Sequence, residues 1–325
     1  MKPLIIKSPQ SGRTLIELMI AIAISVFIII GISVIFSSST QSSRAANQIG
    51  ALSEDGPLAI HLMGQSIKRA GYGEIIGTNL WAYDQTLFAF PHLRACRSGN
   101  FNNAGAGDFN CVAGGAGAPD SIALQFQSDA ITASSQRDST NCVGGAAVMT
   151  TINEVSHPAY LTQVPVISNV YTLNSGNVRC SGNGSTPQAM ASNIQELKIY
   201  YGYDEQAAAS VLTGQATVSP SAAKIVDADM LIASDVAFAG TQYTAWDFVI
   251  SAHVCAVAAT KDKGTSVQTN VSYEGCPDNV AEAILGTGPT RTATDGAVRR
   301  TYRQVFTVRS RATGSPAVRQ KVVIP

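Results

Sequence analysis

The chain has 325 residues, of which 45% are hydrophobic and only 14% charged. This supports a packed core and excludes wholesale disorder. Formal net charge is zero, so no global field draws in nucleic acid or an anionic membrane. The neutrality is uneven. Arg291 to Pro325 carry eight basic residues against one acidic, Asp295, which leaves 14 basic and 21 acidic residues in the rest.

Residues 1–12, MKPLIIKSPQSG, form a short cationic segment with Lys2 and Lys7 and no acid. An apolar run follows, with 19 residues from Leu18 to Phe36 free of charge. As a helix, residues 15–36 span about 33 Å, the thickness of a bilayer core. Basic residues upstream, and none of either sign between Glu17 and Arg44, set the N-terminus in the cytoplasm and the remainder outside. A secretory signal peptide fits poorly, because no A-x-A-like cleavage site follows the run. An ordinary signal anchor fits, but leaves Glu17 unexplained: a carboxylate inside an apolar span costs up to about 3 kcal/mol at mid-bilayer.

No proline lies between Pro9 and Pro57, which predicts a continuous helix over residues 13–55, membrane-spanning at about 15–36. Asp55-Gly56-Pro57 reads as a break, with Pro57 opening a second helix. That helix carries Ile60, Met63, Ile67 and Ala70 as an apolar stripe and ends at Gly71-Tyr72-Gly73. Beyond it the pattern changes to short strands: Ser121–Gln127, Gln163–Leu173, Ile194–Tyr203, Trp246–Val257 and Tyr302–Arg309. Between them, Ser98–Pro119 (six glycines) and Asn174–Pro187 read as loops. The predicted fold class is α+β, a long N-terminal helix packed on an antiparallel sheet in a head over residues 56–325.

The six cysteines, Cys96, Cys111, Cys142, Cys180, Cys255 and Cys276, contain no C-x-x-C pair and suit disulfides in an oxidising compartment. Pairs Cys96–Cys111 and Cys255–Cys276 close the shortest loops and leave Cys142–Cys180, one choice among fifteen connectivities. Chemistry is hard to find. The sequence has no G-x-S-x-G elbow, H-E-x-x-H or P-loop. His61, His92, His157 and His253 are far apart, and Asp227-Ala228-Asp229 lacks the rest of a calcium loop. No catalytic residue, metal or cofactor is expected. The basic C-terminal strand reads as solvated or salt-bridged arginines in preference to a nucleic-acid patch, because Tyr302 and Phe306 lie on the face opposite Arg303 and Arg309.

Gly12-Arg13-Thr14-Leu15-Ile16-Glu17-Leu18, after a short basic leader and before the apolar run, resembles the class III leader of type IV pilins and type II secretion pseudopilins. The resemblance implies cleavage by a prepilin peptidase after Gly12, methylation of the new amine on Arg13, and an assembly role for Glu17. The residue after the cut is usually Phe or Met, so Arg13 departs from the pattern. The order of later features is similar to PilW-type minor pilins: Lys68 to Tyr72 closing a helix, Ile122 to Phe126, Leu197 to Asp204, Trp246 to Val249, and Arg303 to Arg309. This implies a structural minor pilin held in the bacterial inner membrane before assembly and in the pilus, at its tip, afterwards. The implied partners are other minor pilins, the major pilin, the assembly platform and a tip adhesin. A type II secretion pseudopilin is the first alternative, though such heads are smaller and poorer in cysteine; a DNA- or surface-binding tip subunit is the second.

Overall fold

The computed structural model describes residues 14–72, 93–101, 111–115, 118–128, 140–151, 163–213, 224–239, 244–261 and 270–308. The chain divides into two units, the first ending at Ile49 and the second beginning at Gly50. In the first, everything from Leu15 onward is helix.

That helix, α1 (Leu15–Arg69), runs through Pro57 without the break expected at residues 55–57. Proline inside a helix removes one hydrogen bond and costs about 3 kcal/mol. Pro57 sits on the exposed side, while Leu52, Ala59, Ile60, Met63, Ile67 and Ala70 are buried. Each large apolar side chain so buried contributes about 1.5–3 kcal/mol, so the packed stripe outweighs the proline. Gly71, at φ +71°, turns the chain out of the helix. Its N–H then donates to Gln125 O, and Gln127 N–H donates to Tyr72 O.

The head holds two main antiparallel sheets. The first orders β1 (Leu93–Cys96), β4 (Ser121–Gln127), β6 (Gln163–Asn174), β7 (Asn177–Gly182) and β8 (Gln188–Ala191), with β5 (Val148–Thr151) also pairing β6. The second orders β10 (Lys224–Val226), β9 (Ile194–Tyr203), β11 (Val249–Ala259) and β14 (Arg299–Thr307). Among the described residues two hairpins complete the strands, β2 (Gly99–Phe101) with β3 (Cys111–Ala113) and β12 (Val271–Glu274) with β13 (Thr290–Ala293). Short helices α2 (Glu205–Thr213), α3 (Ala228–Ser234) and α4 (Val280–Leu285) lie between strands.

Three predicted elements change. The stretch Asn174–Pro187 is not a loop, because Ser175 and Gly176, both at positive φ, make a two-residue hairpin turn into β7. The glycine-rich stretch Ser98–Pro119 contains β2 and β3. Trp246 lies in a 3-10 turn, Ala245–Phe248, and β11 starts only at Val249. The Asp247 carboxylate fixes that turn by accepting the Thr244 N–H at 2.8 Å and its hydroxyl at 2.9 Å. In β9, a register shift opposite Val257 and Ala258 lets both Ile194 and Leu197 face the core.

The C-terminal part of α1 packs on both sheets. On the first, the Ser66 and Tyr171 hydroxyls bond at 2.8 Å, and Asn169 Nδ2 donates to Ser66 Oγ. On the second, Gly56 and Gly64 admit the rings of Tyr302 and Phe306. The spacings match, since eight helical residues rise about 12 Å and four strand residues about 13 Å. Opposite the bulky β9 row Leu197, Ile199, Tyr201, strand β11 places Ala256, Val254 and Ala252, which leaves room for the helix.

Candidate assembly surface

Gly12 and Arg13 lie outside the described residues. Glu17 sits in the first turn of α1, and its Oε2 accepts the Thr14 N–H at 3.3 Å. This partial capping box is a carboxylate partner that sequence reasoning overlooked, although Thr at the N-cap with Glu three residues later is its signature. From Leu15 to Phe36 the large apolar side chains are all exposed, from 48% at Val26 to 78% at Leu15. The hydroxyls of Ser25 and Ser33 donate to Ala21 O and Ile29 O, each at 2.7 Å, so their polar groups are satisfied within the helix. Among the described residues this is the one helix long and apolar enough to cross a membrane.

Disulfides join Cys96–Cys111, Cys142–Cys180 and Cys255–Cys276, with Cα separations of 5.3, 6.2 and 5.7 Å. Each fastens a weakly packed piece to a sheet: the first ties the β2–β3 hairpin to β1, and the second ties the segment before β5 to β7. The third anchors the strap after β12 to the outer face of β11, where Cys255, Val257 and Cys276 form a small buried cluster with Tyr273 against it.

Three arginines of the basic C-terminal region are paired with acids. Arg291 bridges Glu196 at 3.0 Å and Asp278 at 2.6 Å; Arg299 holds Asp295 at 2.8 Å; Arg303 holds Glu274 at 3.0 Å. Hydrogen bonding from Arg299 pulls the Asp295 carboxyl well below the usual carboxylate range, and Arg303 lowers that of Glu274. These arginines therefore fasten the strap and the terminal strand to the acidic body. Arg309 lies outside the described residues.

Other singled-out residues have structural partners. Asp227 caps α3 by accepting the Met230 N–H at 2.9 Å and also holds Arg97 at 2.5 Å. The same guanidinium lies 3.7 Å from Asp229, so both carboxylates face an arginine. His61 is on the exposed side of α1 and His253 half-buried on β11, its imidazole pKa lowered by burial; His92 and His157 lie outside the described residues. Among the described residues no three of His, Cys, Asp and Glu group as metal ligands do.

Asp120 was missed by sequence reasoning. It is buried, donates its N–H to Leu197 O at 3.0 Å, and accepts Ser98 N–H and Ile199 N–H at 2.9 and 2.8 Å. Lys198 Nζ lies 3.5 Å away. One residue thus satisfies the edge of β9 as a partner strand would, joining the two sheets. Burial pushes its carboxyl pKa up, and Lys198 opposes that. The available signal was Lys198 itself, a cation between the apolar Leu197 and Ile199.

No protein-family model matches this sequence, and no curated protein matches it. Among solved structures, the chain is similar to a type IV-like pilin from Thermus thermophilus, with 11% identity and a TM-score of 0.32, over 83% of this chain and 98% of that one.

Proposed function

We propose that this chain is a non-catalytic minor pilin, processed after Gly12, methylated on Arg13, and incorporated into or priming a type IV pilus. The observation that carries the reading is the division of one 55-residue helix. Its first 22 residues expose apolar side chains on every side, whereas its last 20 bury a stripe in the head. A bare apolar helix of that length is stable in a bilayer or among similar helices, and costly in water. The helix holds the unassembled subunit in the inner membrane with the head in the periplasm. Packing against other pilin helices then carries it into the filament, where its partners are other minor pilins, the major pilin, the assembly platform and a tip adhesin. Glu17 adds register: a carboxylate in an apolar span gains from an opposite charge, and a neighbouring subunit's N-terminal amine supplies one. The disulfide-fastened loops suit an extracytoplasmic head.

N-terminal sequencing of the mature protein, with fractionation of sheared pili, tests this reading. The expected result is a chain beginning at a methylated Arg13 and recovered with the pili. A mature N-terminus elsewhere, or absence from the pilus fraction, overturns it.

A further inference from the structure

The second sheet ends on β14, which is paired on one side only. Val308 N–H donates to Ile250 O, and Thr260 N–H donates to Val298 O. This parity, with the register Ala252–Phe306, Val254–Gln304 and Ala256–Tyr302, turns the even-numbered backbone groups of β14 toward β11. The N–H and C=O groups of Thr301, Arg303, Val305 and Thr307 therefore face outward. Among the described residues, no backbone group pairs with them. Val305 is 56% exposed. A long open edge is a template for another strand.

Charge selects what fits it. Lys68 Nζ lies over the Phe306 ring at 5.5 Å and the Arg300 guanidinium over Tyr302 at 5.6 Å, one toward each end of the edge. Among the described residues neither is in an ion pair. A second β14 would bring like charges together. Residues 309–325 are also a poor match, with Arg309, Arg311, Arg319 and Lys321 and no acid. We propose that the open edge of β14 is a strand-addition site for an extended segment of a partner protein that alternates apolar and acidic residues. The backbone bonds supply affinity; Val305, Lys68 and Arg300 supply the choice of sequence. This goes beyond the pilin reading and does not depend on it.

The test uses the full chain in detergent and a labelled nine-residue peptide alternating valine and glutamate, with a valine–lysine peptide as control. Val305→Pro removes an N–H that β11 does not use, so the sheet is retained; Val305→Thr keeps it. Fluorescence of Trp246 checks folding. The glutamate peptide is expected to bind at least tenfold more tightly than the lysine peptide and to weaken with salt. Val305→Pro should lose at least tenfold and Val305→Thr less than twofold. A Lys68→Glu, Arg300→Glu double variant should reverse the peptide preference, which keeps the test informative should the proline variant misfold. No binding of the glutamate peptide, or equal binding by a folded Val305→Pro protein, overturns the proposal. So does self-association abolished by Val305→Pro, which assigns the edge to a second copy. Binding of a twenty-nucleotide oligothymidine in preference to the peptide overturns it as well.

Discussion

Replacing Gly64 with alanine tests the fit of α1 to β14. A Cβ built there would lie 2.2 Å from Phe306 Cε1 and 2.3 Å from Cζ. Ordinary carbon contacts are about 3.5–4.0 Å, so the ring must retreat by more than about 1 Å. Phe306 is only 3% exposed and has Lys68 over it, so little space exists to receive that movement. Overpacking of this kind costs about 1–3 kcal/mol, here toward the upper end. Alanine in place of a helical glycine returns about 1 kcal/mol. The net expectation is a loss of about 1–2 kcal/mol, or a Tm lower by about 2–8 °C for a head of this size. Gly50 is the control, because it lies in the same helix and a Cβ there meets nothing within 4 Å. Gly50→Ala should stabilise by about 0.5–1 kcal/mol. Thermal unfolding of the full chain in detergent, followed by the fluorescence of buried Trp246, reads both variants. Equal stabilisation by the two substitutions refutes the packing argument. Trimming the ring with Phe306→Leu should relieve most of the Gly64→Ala penalty.

Asp120→Ala leaves two backbone N–H groups and Lys198 without their carboxylate, and should cost about 3 kcal/mol or more in urea unfolding. Breaking Cys255–Cys276, which closes 21 residues, should cost about 3 kcal/mol on the chain-entropy account; a fall well under 1 kcal/mol would mean that the strap is held by its arginines alone. Burial raises the hydroxyl pKa of Tyr203 to about 12, and burial also raises those of Tyr200 and Tyr201. Because the unfolded tyrosines lose their protons first, stability should be intact below pH 10 and decline from there through pH 12, by about 1.4 kcal/mol per unit per tyrosine; a flat profile across that window contradicts it. Glu17→Ala should be processed and stay in the membrane yet be depleted from sheared pili, and equal recovery would reduce Glu17 to the first-turn cap it makes with Thr14.

What sequence alone determined here is whatever depends on neighbours along the chain. The 19 uncharged residues ending at Phe36 need no fold to be read as one long apolar helix, and the strands Ser121–Gln127 and Ile194–Tyr203 have the bounds their composition implies. Ser175-Gly176 was equally local, yet a glycine-rich setting hid its turn. Tertiary structure decided the matters that require distant residues to meet. Pro57 reads locally as a helix breaker, and only the stripe from Leu52 to Ala70, packed on strands such as β6 about 100 residues away, carries the helix past it. Gly56 and Gly64 look like weak points in a helix until Tyr302 and Phe306 fill the space they leave. Sequence suggested salt-bridged arginines in the C-terminal strand, but only the fold shows which acids they meet: Glu196 and Asp278 for Arg291, Asp295 for Arg299, and Glu274 for Arg303. Local pattern records each residue's propensity, a matter of about 1 kcal/mol, whereas burial and pairing between distant segments contribute several kcal/mol and override it.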